Sequence, residues 1–392
     1  MNILIANKFY YRRGGDCVYT LNLEKLLQDH GHSTSIFSMQ YPDNFHSEWE
    51  NFFPSEVKFS PNLGLIEAFR RPFGSRKVKI MFNKIINKFK PDIVHLNNIH
   101  SQLSPVIAEI AHQNNIKTIW TLHDYKLICP RYDFLNNNLQ ICEKCFHDNK
   151  SILKNKCMKG SMIASIIAYL ESVKWNRKTI DNITDKFIAP SQFMADMMIK
   201  AGFNKEKIHV MHNFIDSSKF EDIKEVTRKT YYCYVGRISH EKGVETLIQA
   251  ANCLKYKLKI IGSGPLEAEL KKKANSNIEF LGYKNWDEIK SIISQSKFTV
   301  VPSEWYENNP FSIIESLCTG TPVLGANIGG IPELIDNNVN GMTFVSKDIT
   351  MLKQKISDMF MHNFEYSDIK KCAIRKFNSE SYYNNLINLY TK

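Results

Sequence analysis

Short apolar runs alternate with amphipathic stretches from the first residues onward. Asn2–Asn7 has the apolar run of a buried strand, Asp16–His30 has helical spacing, and Ser33–Met39 is strand-like again, closed by the turn at Tyr41-Pro42. After a polar, aromatic-rich insertion over 41–75 the rhythm resumes. It predicts a helix at Arg76–Phe89, a strand at Asp92–Leu96, a helix at Ser104–Gln113 and a strand at Lys117–Leu122. Such alternation predicts parallel strands covered by helices. From about 125 to 160 the pattern gives way to a loop holding four cysteines. A long predicted helix (160–182) then leads to strands at Lys186–Ala189 and Lys207–Met211, and a second alternating block predicts strands at 231–236, 257–261, 278–281, 297–301 and 322–325. Residues 213–229 between the blocks are polar, charged and aperiodic, as an interdomain linker is. The expected organisation is α/β. A first domain spans 1–212 with its cysteine-containing insertion near 125–160, a linker spans 213–229, a second domain spans 230–375, and a C-terminal helix over 376–392 packs back on the first.

Composition narrows the class. With 392 residues, 43% apolar and 23% charged, the chain has enough core for two or three domains and is neither disordered nor fibrous. Its longest apolar stretch, Met162 to Leu170, falls short of the roughly 18 to 20 residues that cross a bilayer. The opening MNILIANKFYYRRGG places its basic residues after the apolar run, unlike a signal peptide, and the nine cysteines read as reduced thiols in a chain too long to need staples. A reducing cytoplasm is the expected compartment. Lys and Arg number 51 against 40 acidic residues, a net charge of +11 that favours an anionic partner: nucleic acid, a phosphorylated small molecule or an acidic membrane surface.

Two segments carry chemistry. In the stretch Ser303 to Glu315, Asn309 suits a helix N-cap and Pro310 the first helical position, leaving the N–H groups of Phe311 and Ser312 to face an anion. Glu307 precedes that helix and Glu315 lies in its second turn, so two carboxylates flank the same end and can accept from a polyhydroxy ligand. In YYCYVGRISHEKG, Gly236 follows a strand, and Arg237 and Lys242 lie in a loop that opens a helix, a pairing suited to a diphosphate. His95 and His100 bracket Asn97-Asn98 at a strand end, a candidate acceptor edge.

The ordered set RRGGDCVYTLNLEKLLQDHGH, TLHDYKLICP, APSQF, HNFID, VGRISHEKGVETLIQA, IGSGP, LGY, the seven-residue spacing of Glu307 and Glu315, and GTPVLGANIGGIPELI resembles the retaining glycosyltransferases of family 4 over nearly the whole chain. The resemblance implies the GT-B fold, two facing Rossmann-like domains with the active site in the cleft between them. It also implies front-face transfer of a sugar from a UDP- or GDP-sugar, with no metal cofactor. It assigns Arg237 and Lys242 to the diphosphate, Glu315 to the ribose, Glu307 to the sugar, and Gly282-Tyr283 to the base. Gly14-Gly15 would approach the phosphates and His123 the anomeric carbon, so that His123, Glu307, Arg237 and Lys242 form the catalytic set. Gly236, Asn308, Asn309, Phe311 and Ser312 complete the donor site, and Asp16, Asn97 and His100 the acceptor side; Asp16 also suits a cap for the first helix. One departure is Asn308, where many members have glycine after the first glutamate. A saccharide or lipid-linked saccharide of a surface polysaccharide is the expected acceptor, at the inner face of the cytoplasmic membrane.

Two rival classes stay open at this point. A nucleotide-sugar epimerase or phosphorylase could use the same scaffold. A basic nucleic-acid-binding protein with a cysteine zinc module is allowed by the charge, but the chain lacks a basic stripe with interleaved aromatics. Cys129, Cys142, Cys145 and Cys157 permit a structural zinc by their spacing, with reduced thiols in a lid as the alternative. Basic Lys154, Lys156, Lys159, Lys174, Arg177 and Lys178 around apolar Met162, Ile163, Ile166, Ile167 and Leu170 suggest either an anionic membrane surface or an ordinary amphipathic helix packed on the sheet.

Overall fold

Apolar runs of three to five residues become the strands of two parallel sheets, each six-stranded. The computed structural model describes residues 1–56, 69–223 and 227–392. The chain divides into two units, Met1–His212 with Glu380–Lys392, and Asn213–Ser379.

In the first unit the elements run β1 (Asn2–Ala6), α1 (Gly15–Asp29), β2 (Ser33–Phe37), α2 (Arg76–Phe89), β3 (Ile93–Leu96), α3 (Val106–Gln113), β4 (Lys117–Thr121), α4 (Ser151–Lys154), α5 (Met162–Lys174), α6 (Arg177–Asn182), β5 (Lys186–Ala189), α7 (Gln192–Lys200) and β6 (Ile208–Val210). The sheet order is β2-β1-β3-β4-β5-β6. Ile3, Leu4, Ile5 and Val94 are fully buried, as strands covered on both faces must be. The single helix expected over 160–182 is two helices. Trp175 ends α5 and donates its indole N–H to the Pro72 carbonyl at 2.8 Å, and the Asn176 side chain caps α6 by accepting from the Thr179 N–H at 3.1 Å. Insertion residues 41–75 fall partly outside the described residues.

In the second unit follow β7 (Tyr231–Val235), α8 (Val244–Ala251), β8 (Lys257–Ile261), α9 (Glu267–Lys273), β9 (Ile278–Gly282), α10 (Trp286–Gln295), β10 (Thr299–Val301), α11 (Phe311–Cys318), β11 (Val323–Ala326), β12 (Gly341–Phe344), α12 (Ile349–Met361) and α13 (Tyr366–Lys376). The sheet order is β12-β11-β10-β7-β8-β9. Strand β12 is not among the strands that the sequence pattern predicts. The stretch expected as a linker, 213–229, belongs to this unit where it is described: Ile215 and Phe220 lie in its core, and the Phe220 ring meets Trp286 edge-on at 5.4 Å. The last helix, α14 (Ser379–Thr391), is grouped with the first unit from Glu380 on. There the Tyr382 and Tyr19 hydroxyls share a hydrogen bond, and the Tyr390 hydroxyl pairs with His95 Nδ1 at 2.6 Å.

Both orders reverse direction once. In the first unit β1 and β3 flank the reversal, and in the second β7 and β10 do. The loops leaving the carboxyl ends of such strand pairs diverge and open a crevice, which is where this fold class binds ligands.

Candidate active site

In the second unit, the loop after β7 and the loop after β10 are laced together. The Glu304 N–H donates to the Glu241 carbonyl at 2.9 Å, and the Thr246 hydroxyl donates to the Glu304 carboxylate at 2.5 Å. A Cβ on Gly243 would sit 1.9 Å from the Pro302 carbonyl oxygen, so only glycine lets the two loops approach this closely. Glu307 is 6% exposed, and its Oε1 accepts from Lys242 Nζ and from the Ser303 hydroxyl, each at 2.7 Å. Burial alone would raise this carboxyl. The Lys242 charge and the hydrogen bonds from Lys242 and Ser303 outweigh burial and hold it below the usual range, so Glu307 is ionised. Its backbone is pinned as well: the Glu307 carbonyl accepts from the Gly330 N–H at 2.7 Å, and a Cβ on Gly329 (φ +59°) would come within 2.2 Å of that same oxygen.

Beyond this loop, α11 presents the N–H groups of its first turn, ahead of its own ladder, in the manner of an anion site. Pro310 takes the N-cap position, one place earlier than expected. Asn309 is not the cap, because its side-chain oxygen accepts from the Asn213 N–H at 2.9 Å and its carbonyl from Asn213 Nδ2 at 2.7 Å. Glu315, partly buried in the second turn, is pushed up to about 7 by burial, with the Lys219 charge pulling the other way. Arg237 is exposed at the start of the loop after β7, Gly282 closes β9, and Tyr283 beside it is 82% exposed. Cations, a helix N-terminus and two carboxyl groups of opposite protonation tendency thus collect around one switch point. They can neutralise a diphosphate and hydrogen-bond hydroxyls.

In the first unit, the carboxyl ends of β1, β3 and β4 gather a second polar cluster. Lys8 Nζ donates to Asn98 Oδ1 at 3.0 Å, the Asn98 N–H to Asn7 Oδ1 at 3.0 Å, and His123 Nε2 to Asn97 Oδ1 at 2.9 Å. The Tyr19 ring stands edge-on to His123 at 4.9 Å. Burial lowers the His123 pKa against the charges of Asp16 and Asp124, which keeps the imidazole neutral. Asn97 Nδ2 is buried without a hydrogen-bond partner among the described residues. Asp16 lies in the first turn of α1, whose N-cap is Gly14, so the carboxylate is not the cap; its charge acts on His123. His100 stacks on Trp120 at 5.4 Å and lines a cavity with Lys126, Glu171 and Trp175, where burial makes it neutral. Asp16 and Asn97 therefore join His123, whereas His95 serves the docking of α14.

Comparison with known proteins decides the family. The model of Glycosyltransferase Family 4 matches residues 13–219, and that of Glycosyl transferases group 1 matches residues 216–376. The chain belongs to glycosyltransferase family 4. Its two doubly wound units are those of the GT-B fold, as in the structure of Anabaena HepE in complex with UDP (TM-score 0.71, 17% identity, 100% of both chains covered). An uncharacterized 42.6 kDa protein in the cps region of Klebsiella pneumoniae is 28% identical over 357 residues, covering 85% of this chain and 87% of the relative. An amylovoran biosynthesis glycosyltransferase of Erwinia amylovora is 30% identical over 168 residues, covering 38% and 41%.

Several features of the cluster after β7 and β10 are invisible to sequence pattern. The pairing of Lys242 with Glu307 is one, since nothing local joins residues 65 positions apart, and the Ser303 hydroxyl on Glu307 Oε1 is another. Gly329-Gly330 reads first as a turn, yet it also holds the Glu307 backbone. Trp305, with its ring 5.1 Å from the Lys242 ammonium, is another; an aromatic beside a loop cation is the only signal it gives. In the insertion, the Cys129 and Cys145 thiols act on each other, which lowers the pKa of Cys129 to about 7 and raises that of Cys145, where Cys142 and Cys157 also act. Among the described residues no group of three or more His, Cys, Asp or Glu side chains is arranged to hold a metal ion.

Proposed function

We propose that this family 4 enzyme is a retaining transferase that needs no metal, adding a sugar from a UDP- or GDP-sugar to a lipid-linked saccharide of a surface polysaccharide. The observation that carries the reading is the ionised Glu307, locked by Ser303, Lys242 and Gly329-Gly330 beside the N-terminus of α11. Lys242 and Arg237 supply the positive charge that a bound metal would otherwise bring to the diphosphate, and the first N–H groups of α11 add to it. Glu307 accepts from the sugar hydroxyls, and Glu315, near half-protonation at neutral pH, pairs with the ribose hydroxyls. As the anomeric carbon–oxygen bond breaks, its electron pair goes to the diphosphate oxygen. The acceptor hydroxyl bonds to that carbon on the same face and passes its proton to the departing diphosphate, so configuration is retained without a protein nucleophile. Neutral His123, fixed by Asn97, is a hydrogen-bonding group for the reacting sugar. The Klebsiella and Erwinia relatives support a polysaccharide acceptor, and UDP in the Anabaena structure supports a nucleotide donor.

The test is a panel of UDP- and GDP-sugars with and without lipid-linked acceptors in excess chelator, reading nucleoside diphosphate release and the anomeric configuration of the product by NMR. Release that depends on acceptor, undiminished by chelator and with retained configuration, is expected. An inverted product, or activity restored only by a divalent cation, would overturn the reading.

A further inference from the structure

Helix α5 is folded inside out. Its buried residues are Ser165, Ala168 and Glu171, and the Glu171 carboxylate pairs with Lys126 Nζ at 2.9 Å, both side chains nearly enclosed. Five of its apolar residues face outward: Ile163 is 74% exposed, Val173 51%, Met162 43%, Ile166 41% and Leu170 39%, while Ile167 and Tyr169 are half-buried. Positions 163, 166, 170 and 173 follow the i, i+3, i+7, i+10 spacing of a single helix face, a stripe about 15 Å long. A helix on the surface of a globular protein normally shows water its polar face. Among the described residues nothing covers this one, and the Phe69 ring, 46% exposed and 5.7 Å from Phe73, extends the apolar surface past the turn that α5 packs on.

The charge around the stripe is predominantly positive, with Asp148 beside Lys150 and Glu109 acting on Lys174 as the acidic groups at its edge. Lys150, Lys154, Lys156 and Lys159 before it and Lys174 and Lys178 after it are all exposed, and the only acidic residue between Lys150 and Lys178 is the buried Glu171. Arg70, Arg76, Lys77 and Lys79 are exposed on the neighbouring turn and α2. Arg177, counted with this rim from the sequence, is not part of it. Its guanidinium turns inward and donates to the carbonyls of Cys145, Phe146 and Ala201 at 2.5, 3.0 and 3.1 Å.

We infer that this face of α5 docks the first unit on an anionic phospholipid bilayer, the apolar stripe lying in the headgroup boundary and the lysines on the lipid phosphates. A predominantly cationic rim fits a lipid surface better than a second copy of the chain, which would bring like charges together. The inference deepens the proposed function by supplying the surface at which a lipid-linked acceptor is met. Its failure would leave transfer to a soluble acceptor standing.

The test is co-sedimentation of the full chain with phosphatidylcholine vesicles containing about a third phosphatidylglycerol, against pure phosphatidylcholine, at low and high salt. Binding to the anionic vesicles is expected to fall about tenfold or more in the double variant Ile163→Ser, Ile166→Ser, and likewise in Lys156→Glu, Lys159→Glu and in high salt, with the thermal melt unchanged because these side chains are exposed. Binding indifferent to lipid charge, to salt or to the serine variant overturns the proposal. So does a wild-type dimer by light scattering that the serine variant dissolves while neither protein binds vesicles.

Discussion

Glu315 should cost the empty enzyme stability that it returns as affinity. Its carboxyl is raised from 4.5 to about 7 by burial, against the pull of Lys219. An unfolded chain releases this proton near 4.5, while the folded chain keeps it up to about 7. The native state therefore binds the extra proton in that window, and stability falls as pH rises through it, with the full penalty present above 7. At about 1.4 kcal/mol for each tenfold change in proton affinity, the penalty comes to about 3 kcal/mol. Glu315→Gln keeps the shape and removes the charge. Relative to wild type, the variant should gain under about 1 kcal/mol at pH 5 and about 3 kcal/mol at pH 8, or roughly 6–12 °C in Tm for a domain of this size.

The assay is scanning calorimetry of both proteins at the two pH values, following the transition that moves, because two units need not melt together. Comparing the variant with wild type at each pH cancels the other titrating groups. Titration with nucleoside diphosphates in the same buffers should show the opposite sign, about tenfold weaker binding by the variant at pH 8 as a charge-assisted hydrogen bond to the ribose is lost. A stabilisation equal at both pH values, or a variant less stable at pH 8, would refute the claim that burial holds this carboxyl. Stability gained with no loss of nucleotide binding would refute its role.

The ion pair beside it gives a second test: Lys242→Ala should lower kcat/KM about tenfold or more and, by leaving Glu307 buried without its cation, cost about 1–3 kcal/mol in urea melts, a loss that shrinks as pH falls and Glu307 protonates. Normal kcat/KM in a folded variant would remove Lys242 from the site. Gly329→Ala would force a Cβ to 2.2 Å from the Glu307 oxygen at φ +59° and should reduce both stability and kcat, whereas Gly31→Ala, at φ +75° with open space around it, should cost stability through backbone strain alone and leave kcat unchanged; equal kcat in the two would mean the Glu307 loop does not need its backbone held. A zinc ion on Cys129, Cys142, Cys145 and Cys157 predicts about one equivalent per chain by elemental analysis of untagged protein, lost when Cys142 and Cys145 become serine, with transfer activity kept; well under one equivalent would dispose of the site.

What could be read along the chain was whatever depends on near neighbours. Buried strands such as Asn2–Ala6 and Val323–Ala326 declare themselves because a strand covered on both faces must be nearly apolar throughout. Strand β12 opens on Gly341 and carries Thr343, so it lacks that continuous apolar run, and the break between α5 and α6 carries no glycine or proline to mark it. The carboxylates Glu307 and Glu315 were legible by spacing. That Lys242 grips Glu307 was not, because it follows from β7 lying beside β10, a consequence of the crossover order. Asn309 shows the same limit at a single position: local preference makes it a cap, and two hydrogen bonds to Asn213 outweigh that preference. Helix α5 is the sharpest case. Its periodicity predicts an amphipathic helix correctly, but periodicity is blind to which face turns inward. That is settled by Lys126, an enclosed cation whose position demands a carboxylate, so Glu171 goes in and Ile163 and Ile166 are left at the surface. A burial pattern that runs against hydrophobicity is costly unless something outside the chain covers the exposed face, and this is why the inverted helix, more than the net charge of +11, points to a surface partner.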